Sequence, residues 1–284
     1  LDSIGAVIEP VGQRLAPGRA ASTRPQRAFG QARLSVRADG ERCRLERLYQ
    51  EGAAKVRFPS PTGRACEAVL INTAGGVTGG DRFDWSITVS DGAACTAITQ
   101  ACEKIYRAEA GMAEVDVRLQ VGAGARLDWL PQETILFDGA RLTRRFEIDL
   151  AADARLLAVE CAVLGRRAMG EVGARVRLND RWRVRRGGRL ILADNLTLAD
   201  PTAAGPALLD GAGALAVLIY AAPDAEARLG PVRAALGDAH GGASAFDGKL
   251  LCRILAADGM ALRGALLPVI AALRDDPLPR LWTV

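Results

Sequence analysis

Two carboxylates five positions apart, Glu133 and Asp138 in the run Gln132-Glu133-Thr134-Ile135-Leu136-Phe137-Asp138-Gly139, come closest in this sequence to an acid/base dyad. Glycosidases place two such groups on either side of one bond. Five positions along an extended segment is an odd offset, however, and sends the two side chains to opposite faces. Glu160 and Glu171 flank Gly165-Arg166-Arg167-Ala168-Met169-Gly170, where a glutamate among bases reads as an ion-pair partner. The glycine-rich run Gly75-Gly76-Val77-Thr78-Gly79-Gly80-Asp81 has the spacing of a dinucleotide fingerprint once Ala74 is counted, but the segment after it alternates as a strand. Phosphate binding there requires a helix N-terminus. No Lys-Ser or Lys-Thr follows the glycines either, so the run reads as a tight connection between strands.

Histidine occurs once, as His240, beside Gly241-Gly242 in what reads as a loop or helix end. Sites built on two or three imidazoles, including most catalytic zinc centres, are therefore excluded. The six cysteines, Cys43, Cys66, Cys95, Cys102, Cys161 and Cys252, form no C-x-x-C pair, which removes zinc ribbons and thioredoxin-like motifs. No serine sits in a nucleophile elbow, and nothing marks an enzyme. Across 284 residues the formal net charge is +4, and only Lys55, Lys104 and Lys249 among the 37 bases are lysines. Such a balance argues against a nucleic-acid partner, while the arginines suit interfaces as well as coding bias. No basic-then-apolar leader opens the sequence and no apolar run reaches the ~20 residues of a membrane span. Free thiols in a cytoplasmic protein are the expectation.

The elements that carry these residues are strands. From about Gln31 to Leu198 apolar and polar residues alternate, as in Phe83-x-Trp85-x-Ile87-x-Val89, Val115 to Val121, Phe146 to Leu150 and Val176 to Val184. Turns at Asp91-Gly92-Ala93, Gly122 to Ala125, Ala152 to Ala154 and Arg186-Gly187-Gly188 each precede a short apolar strand, and recur about every 30 residues. The strands are Cys95 to Thr99, Leu127 to Leu130, Leu156 to Val159 and Leu190 to Ala193; stacked in register, they would align the polar residues that follow, Gln100, Gln132-Glu133, Glu160 and Asp194-Asn195, in one column. An antiparallel sandwich is the competing architecture. In the last third, Ala214 to Tyr220 and Leu250 to Leu255 suit strands, Ala225 to His240 has helical spacing broken by Gly230-Pro231, and Asp258 caps a helix running through Leu273 that Pro268 should bend. The expectation is a mainly β fold, a superhelical or β-solenoid-like stack with about two C-terminal helices, in a single domain over 1–284 whose segment 1–30 is partly irregular.

Taken in order, Gly75 to Asp81, Lys104-Ile105-Tyr106-Arg107, Trp129-Leu130-Pro131-Gln132-Glu133-Thr134-Ile135 and Gly165-Arg166 to Gly170-Glu171 resemble the urease accessory protein UreD (UreH) family. The similarity runs from Gln31 to Pro279-Arg280-Leu281-Trp282; one departure is Ala74, where family members commonly carry proline. The resemblance implies a mostly β superhelical fold and a non-enzymatic scaffold that binds apo-urease and joins UreF and the nickel-carrying GTPase UreG, in a dimer of heterocomplexes. It implies no tightly bound cofactor, no nucleic-acid or membrane partner, and Ni²⁺ in transit through an internal passage. Glu133, Asp138 and Glu171 stand at matching acidic positions and become candidate lining residues, joined by Glu160 from the repeat. Gly75, Gly76, Thr78, Gly79, Gly80 and Asp81 form a partner or structural loop. Oxygen ligands, individually weak, would let Ni²⁺ pass where imidazole or thiolate would hold it. A purely structural adaptor is the alternative, and a carbohydrate-active enzyme on a β-solenoid would need a carboxylate pair in an open cleft.

Overall fold

The computed structural model describes residues 26–60, 63–171, 175–199 and 209–283. Most of the segment expected to be irregular, 1–30, lies outside them; within it, Phe29 already opens a strand. A hairpin of β1 (Phe29–Asp39) and β2 (Arg42–Gly52) leads through β3 (Ala54–Arg57) to β4 (Cys66–Asn72), where a parallel β-solenoid begins. Its coils run from β4 to β5 (Arg82–Val89), then β6 (Ala94–Thr99), β7 (Glu103–Ile105) and β8 (Ala113–Val121). The next is β9 (Arg126–Leu130), β10 (Thr134–Leu136) and β11 (Arg141–Leu150), and the last passes from β12 (Arg155–Leu164) to β13 (Arg177–Arg186). Cys66, Cys95, Leu127 and Leu156 stand in register on successive coils, matching the repeat of about 30 residues.

Three walls result. The first, β14-β13-β11-β8-β5-β1-β2, ends in the hairpin strand β14 (Arg189–Ala199). The second continues from β12 into β15 (Ala214–Ala221), β17 (Lys249–Ala256) and β16 (Gly241–Phe246). The third is narrow and made of Val77, β7, β10 and the end of β12. Alternation on the first wall sends Leu142, Phe146, Ile148 and Leu150 inward, while outward charges such as Asp84, Arg118, Asp116 and Arg145 pair between coils. The turns stack too. Asp91 accepts a hydrogen bond from the Ala123 amide of the next turn at 2.8 Å, and Asp153 accepts one from Gly124 at 2.9 Å.

The fourth turn of the expected repeat corrects the coil count. Gly187 and Gly188 both have positive φ, 55° and 79°, the backbone of a two-residue hairpin. Leu190 to Ala193 therefore returns antiparallel to β13 on the first wall, and the missing coil lies earlier, at β4.

Outside the second wall lie α1 (Leu229–Leu236) and α2 (Gly259–Leu273), which cover it with Leu262, Leu266, Val269, Ile270 and Leu273. Buried on both faces, β15 is apolar throughout, which is why its sequence does not alternate. Asp258 caps α2 as expected, accepting from the Ala261 amide at 2.9 Å, and Pro268 lies inside the helix. Gly230-Pro231 opens the shorter α1 rather than interrupting a longer helix, since a first-turn proline loses no intrahelical bond. Among the described residues, no helix is long and apolar enough to cross a membrane.

Candidate functional site

Where the three walls meet inside the coil, an arginine occupies a position that alternation reserves for an apolar residue. Arg144 of β11 points inward between Leu142 and Phe146, and its guanidinium touches every wall. It pairs with Asp180 of the first wall at 2.5 Å, donates to the Thr134 hydroxyl of the third at 3.2 Å, and pairs with Glu160 of the second. The remaining oxygen of Glu160 accepts from the Trp129 indole at 2.8 Å. Phe146 and Trp182 stack 3.8 Å apart beside the cluster, with the Arg144 guanidinium 5.6 Å from the Phe146 ring. Two buried carboxylates thus share one guanidinium. Burial pushes Glu160 up to about 7 against the opposing pull of Arg144, and Asp180 adds to the rise.

Against this cluster lies a cavity of about 60 Å³, room for a few water molecules, bordered by Glu160, Arg144, Thr134, Gln132, Thr99 and Glu103. Glu103, absent from the sequence-derived candidates, accepts from the Asn72 side-chain amide at 3.1 and 3.2 Å and has no basic partner among the described residues. Burial lifts it to about 7 as well. Its sequence signal was adjacency to Lys104-Ile105-Tyr106-Arg107. Arg144 and Asp180 announced themselves only as polar interruptions of an inward-facing register.

The other three candidate acids face away from the interior, each held by an arginine. Glu133 forms a bidentate pair with Arg263 of α2, both contacts 2.9 Å, and accepts from the Cys102 thiol at 3.4 Å. Burial, the largest single influence, raises its carboxyl, but the hydrogen bond and charge of Arg263, a backbone amide and the Cys102 thiol together outweigh it, so the net displacement is downward; burial and Glu133 together push Cys102 up to about 11. Asp138 pairs with Arg175 and Arg107, and the Arg175 hydrogen bond holds it below the usual carboxylate range. Glu171 binds Arg166 at 2.5 Å, which lowers it to about 2, and accepts from the Asp138 amide at 3.3 Å. The column expected from the repeat does not line up: Gln100 is exposed, Glu133 turns to α2, Glu160 turns inward, and Asp194-Asn195 lies on β14.

On the third wall the four matching sequence runs become neighbours. Tyr106 donates to the Gly75 carbonyl at 3.1 Å, its ring meets Phe137 edge-on at 5.0 Å, and Arg166 lies 4.2 Å over Phe137. Beside that column, Thr78 donates to the Arg107 carbonyl at 2.9 Å. Asp81 is buried and structural, accepting from the amides of Thr78 and Ala28, both at 2.8 Å. Gly76 has φ 146°, and a Cβ there would stand 2.3 Å from the Tyr106 ring.

This arrangement binds charge to charge inside and across coils, and among the described residues no three His, Cys, Asp or Glu side chains converge as a metal-ligand set. His240 is exposed just before β16. No open carboxylate pair of glycosidase type is formed by the four candidate acids. Comparison with known proteins supplies what the geometry leaves open. The family model described as UreD urease accessory protein matches residues 28–283. Proteins called urease accessory protein UreD from Rhizobium leguminosarum bv. viciae and Agrobacterium fabrum are 54% and 48% identical to this chain over 93% and 92% of its length, covering 98% and 93% of their own. A third, from Sinorhizobium medicae, is 48% identical over 93% of this chain and 99% of its own length. With solenoid, third-wall runs and near full-length relatives in agreement, the chain belongs to the UreD urease accessory protein family.

Proposed function

We propose that this protein is a urease maturation factor, a non-enzymatic scaffold that bridges apo-urease to UreF and the GTPase UreG and assists entry of Ni²⁺ into the urease active site. The observation that carries the maturation role is the match over 28–283 to a family of accessory proteins, together with relatives of the same name across nearly their whole length. The interior supports the finer reading about nickel. Glu103 and Glu160 border a water-sized space and titrate near neutrality, where a carboxylate exchanges its proton for a passing cation. Oxygen donors release a borderline metal more readily than imidazole or thiolate does. Of the four acids singled out from sequence, only Glu160 takes this interior role. Glu133, Asp138 and Glu171 hold the coil to α2 and to itself.

Co-expression with apo-urease, UreF and UreG, followed by affinity capture and metal analysis of the urease, tests both levels. The wild-type chain is expected to co-purify with the partners and raise nickel per urease active site. Glu103→Gln and Glu160→Gln should keep the complex and lower nickel loading. Normal loading by both variants rejects the interior route while leaving the scaffold; failure of the wild-type chain to co-purify rejects the scaffold.

A further inference from the structure

β2 ends the first wall, and among the described residues no strand lies along its far edge. Four of the nine large apolar side chains exposed among the described residues, Phe29, Leu45, Leu48 and Tyr49, gather on this hairpin. The Val36 carbonyl bonds to Ser90 on the β5 side, so the pairs Val36/Leu45 and Leu34/Leu48 are of the non-hydrogen-bonded kind. Leu45 and Leu48 therefore turn their amides and carbonyls to the open edge. Opposite Ser35 and Val36 the register slips, leaving Glu46 as an extra residue that accepts from the Ser35 hydroxyl at 2.9 Å. The bulge puts Leu45 and Leu48, three positions apart, on one face, and Arg44, Glu46, Arg47 and Tyr49 on the other.

We propose that β2 pairs antiparallel with β2 of a second copy of this chain, about a two-fold axis passing between Glu46 and Arg47. In that register the strand is its own complement. Leu45 faces Leu48 of the second copy, Glu46 faces Arg47, and Arg44 faces Tyr49, each pair occurring twice as an isologous contact requires. Opposed leucines, opposite charges and an arginine over an aromatic ring are each favourable cross-strand pairs. Without the bulge, this register would set residues of opposite faces against each other, since side chains alternate along a regular strand. The same residues that match in side chain also have the free backbone groups, so Leu45 and Leu48 exchange hydrogen bonds with their counterparts. The pairing is confined to Arg44 through Tyr49, because the Cys43 amide already donates to the Arg64 carbonyl at 2.9 Å. Edges kept monomeric carry proline or like charges facing the newcomer. This stretch has no proline, and its charges match their own copy.

Sedimentation of the full chain over a concentration series tests the proposal. The wild-type chain should reach twice its 30.0 kDa mass. Glu46→Arg and Arg47→Glu alone should each raise the dissociation constant roughly tenfold or more, and the double swap E46R/R47E should recover it, since the opposite charges again face each other. All four side chains on the outer face are solvent-accessible, and matching thermal melts establish that the variants fold. Hydrogen exchange of the unmodified chain is a second reading: the Leu45 and Leu48 amides should gain protection as concentration rises. A chain that stays monomeric, single variants that dimerise normally, or a double swap without recovery overturns the proposal. So does a β2 edge protected only when another protein is added.

Discussion

Arg144 is fixed by two carboxylates that would otherwise stand buried and unpaired, Glu160 and Asp180. Replacing it with leucine removes the only base in the cluster and should cost about 3–5 kcal/mol in urea unfolding at pH 8. The deficit shrinks toward pH 5, where Glu160 keeps its proton. Glu103 provides the cleaner pH test, because burial dominates its surroundings and no base among the described residues pairs with it. A carboxyl raised from 4.5 to about 7 binds a proton in the folded chain that the unfolded chain has released, so stability falls as pH climbs through that window. Glu103→Gln should therefore stabilise the protein by roughly 1–3 kcal/mol at pH 8 and leave it unchanged at pH 4, as thermal melts across the range will show. These residues were the hardest to read from sequence. Glu160 and Glu171 stood out by their setting among bases, and Glu171 is indeed held by Arg166. Whether an acid faces inward depends on which wall it joins, and Arg144 and Asp180 met only across coils 36 residues apart.

Among elements, alternation made the long walls legible and missed the short one. β5, β8, β11 and β13 alternate over eight or more residues, whereas β7 and β10 have three residues each, too few to display a period. The repeat was recognisable from its Asp and Gly turns, yet Gly187-Gly188 carried a hairpin instead, a distinction readable from two adjacent glycines. α2 was legible because cap, apolar face and length all agreed. Its attachment to the coil was not, since Arg263 and Glu133 are 130 positions apart. Glu133→Gln should loosen that attachment, and hydrogen exchange should quicken in α2 and around Trp282, over whose ring Arg263 lies at 4.8 Å, before the coil itself opens. On the third wall, Gly76→Val forces a β-branched residue to φ 146° and into the Tyr106 ring. It should cost several kcal/mol, about 2–4, in the same unfolding assay.

At the scale of the molecule, the walls are continuous while the coils are successive, so stability should be graded along the stack. Amides of β9 and β12, enclosed by neighbouring coils and by the helical layer, should exchange slowest; those of β14 and β16, with one strand neighbour each, should exchange fastest. The three-way contact of Arg144 has a consequence for synthesis. A nascent chain that has emerged only as far as β12 can offer Arg144 its Glu160 and Thr134, but Asp180 is still inside the ribosome. Closing the third coil at that moment would bury a guanidinium short of its second carboxylate, leaving the ionic cluster incomplete. The final coils therefore close together, and a chain truncated before Asp180 is held open at its polar centre, exposed to the chaperones and proteases that sort incomplete proteins.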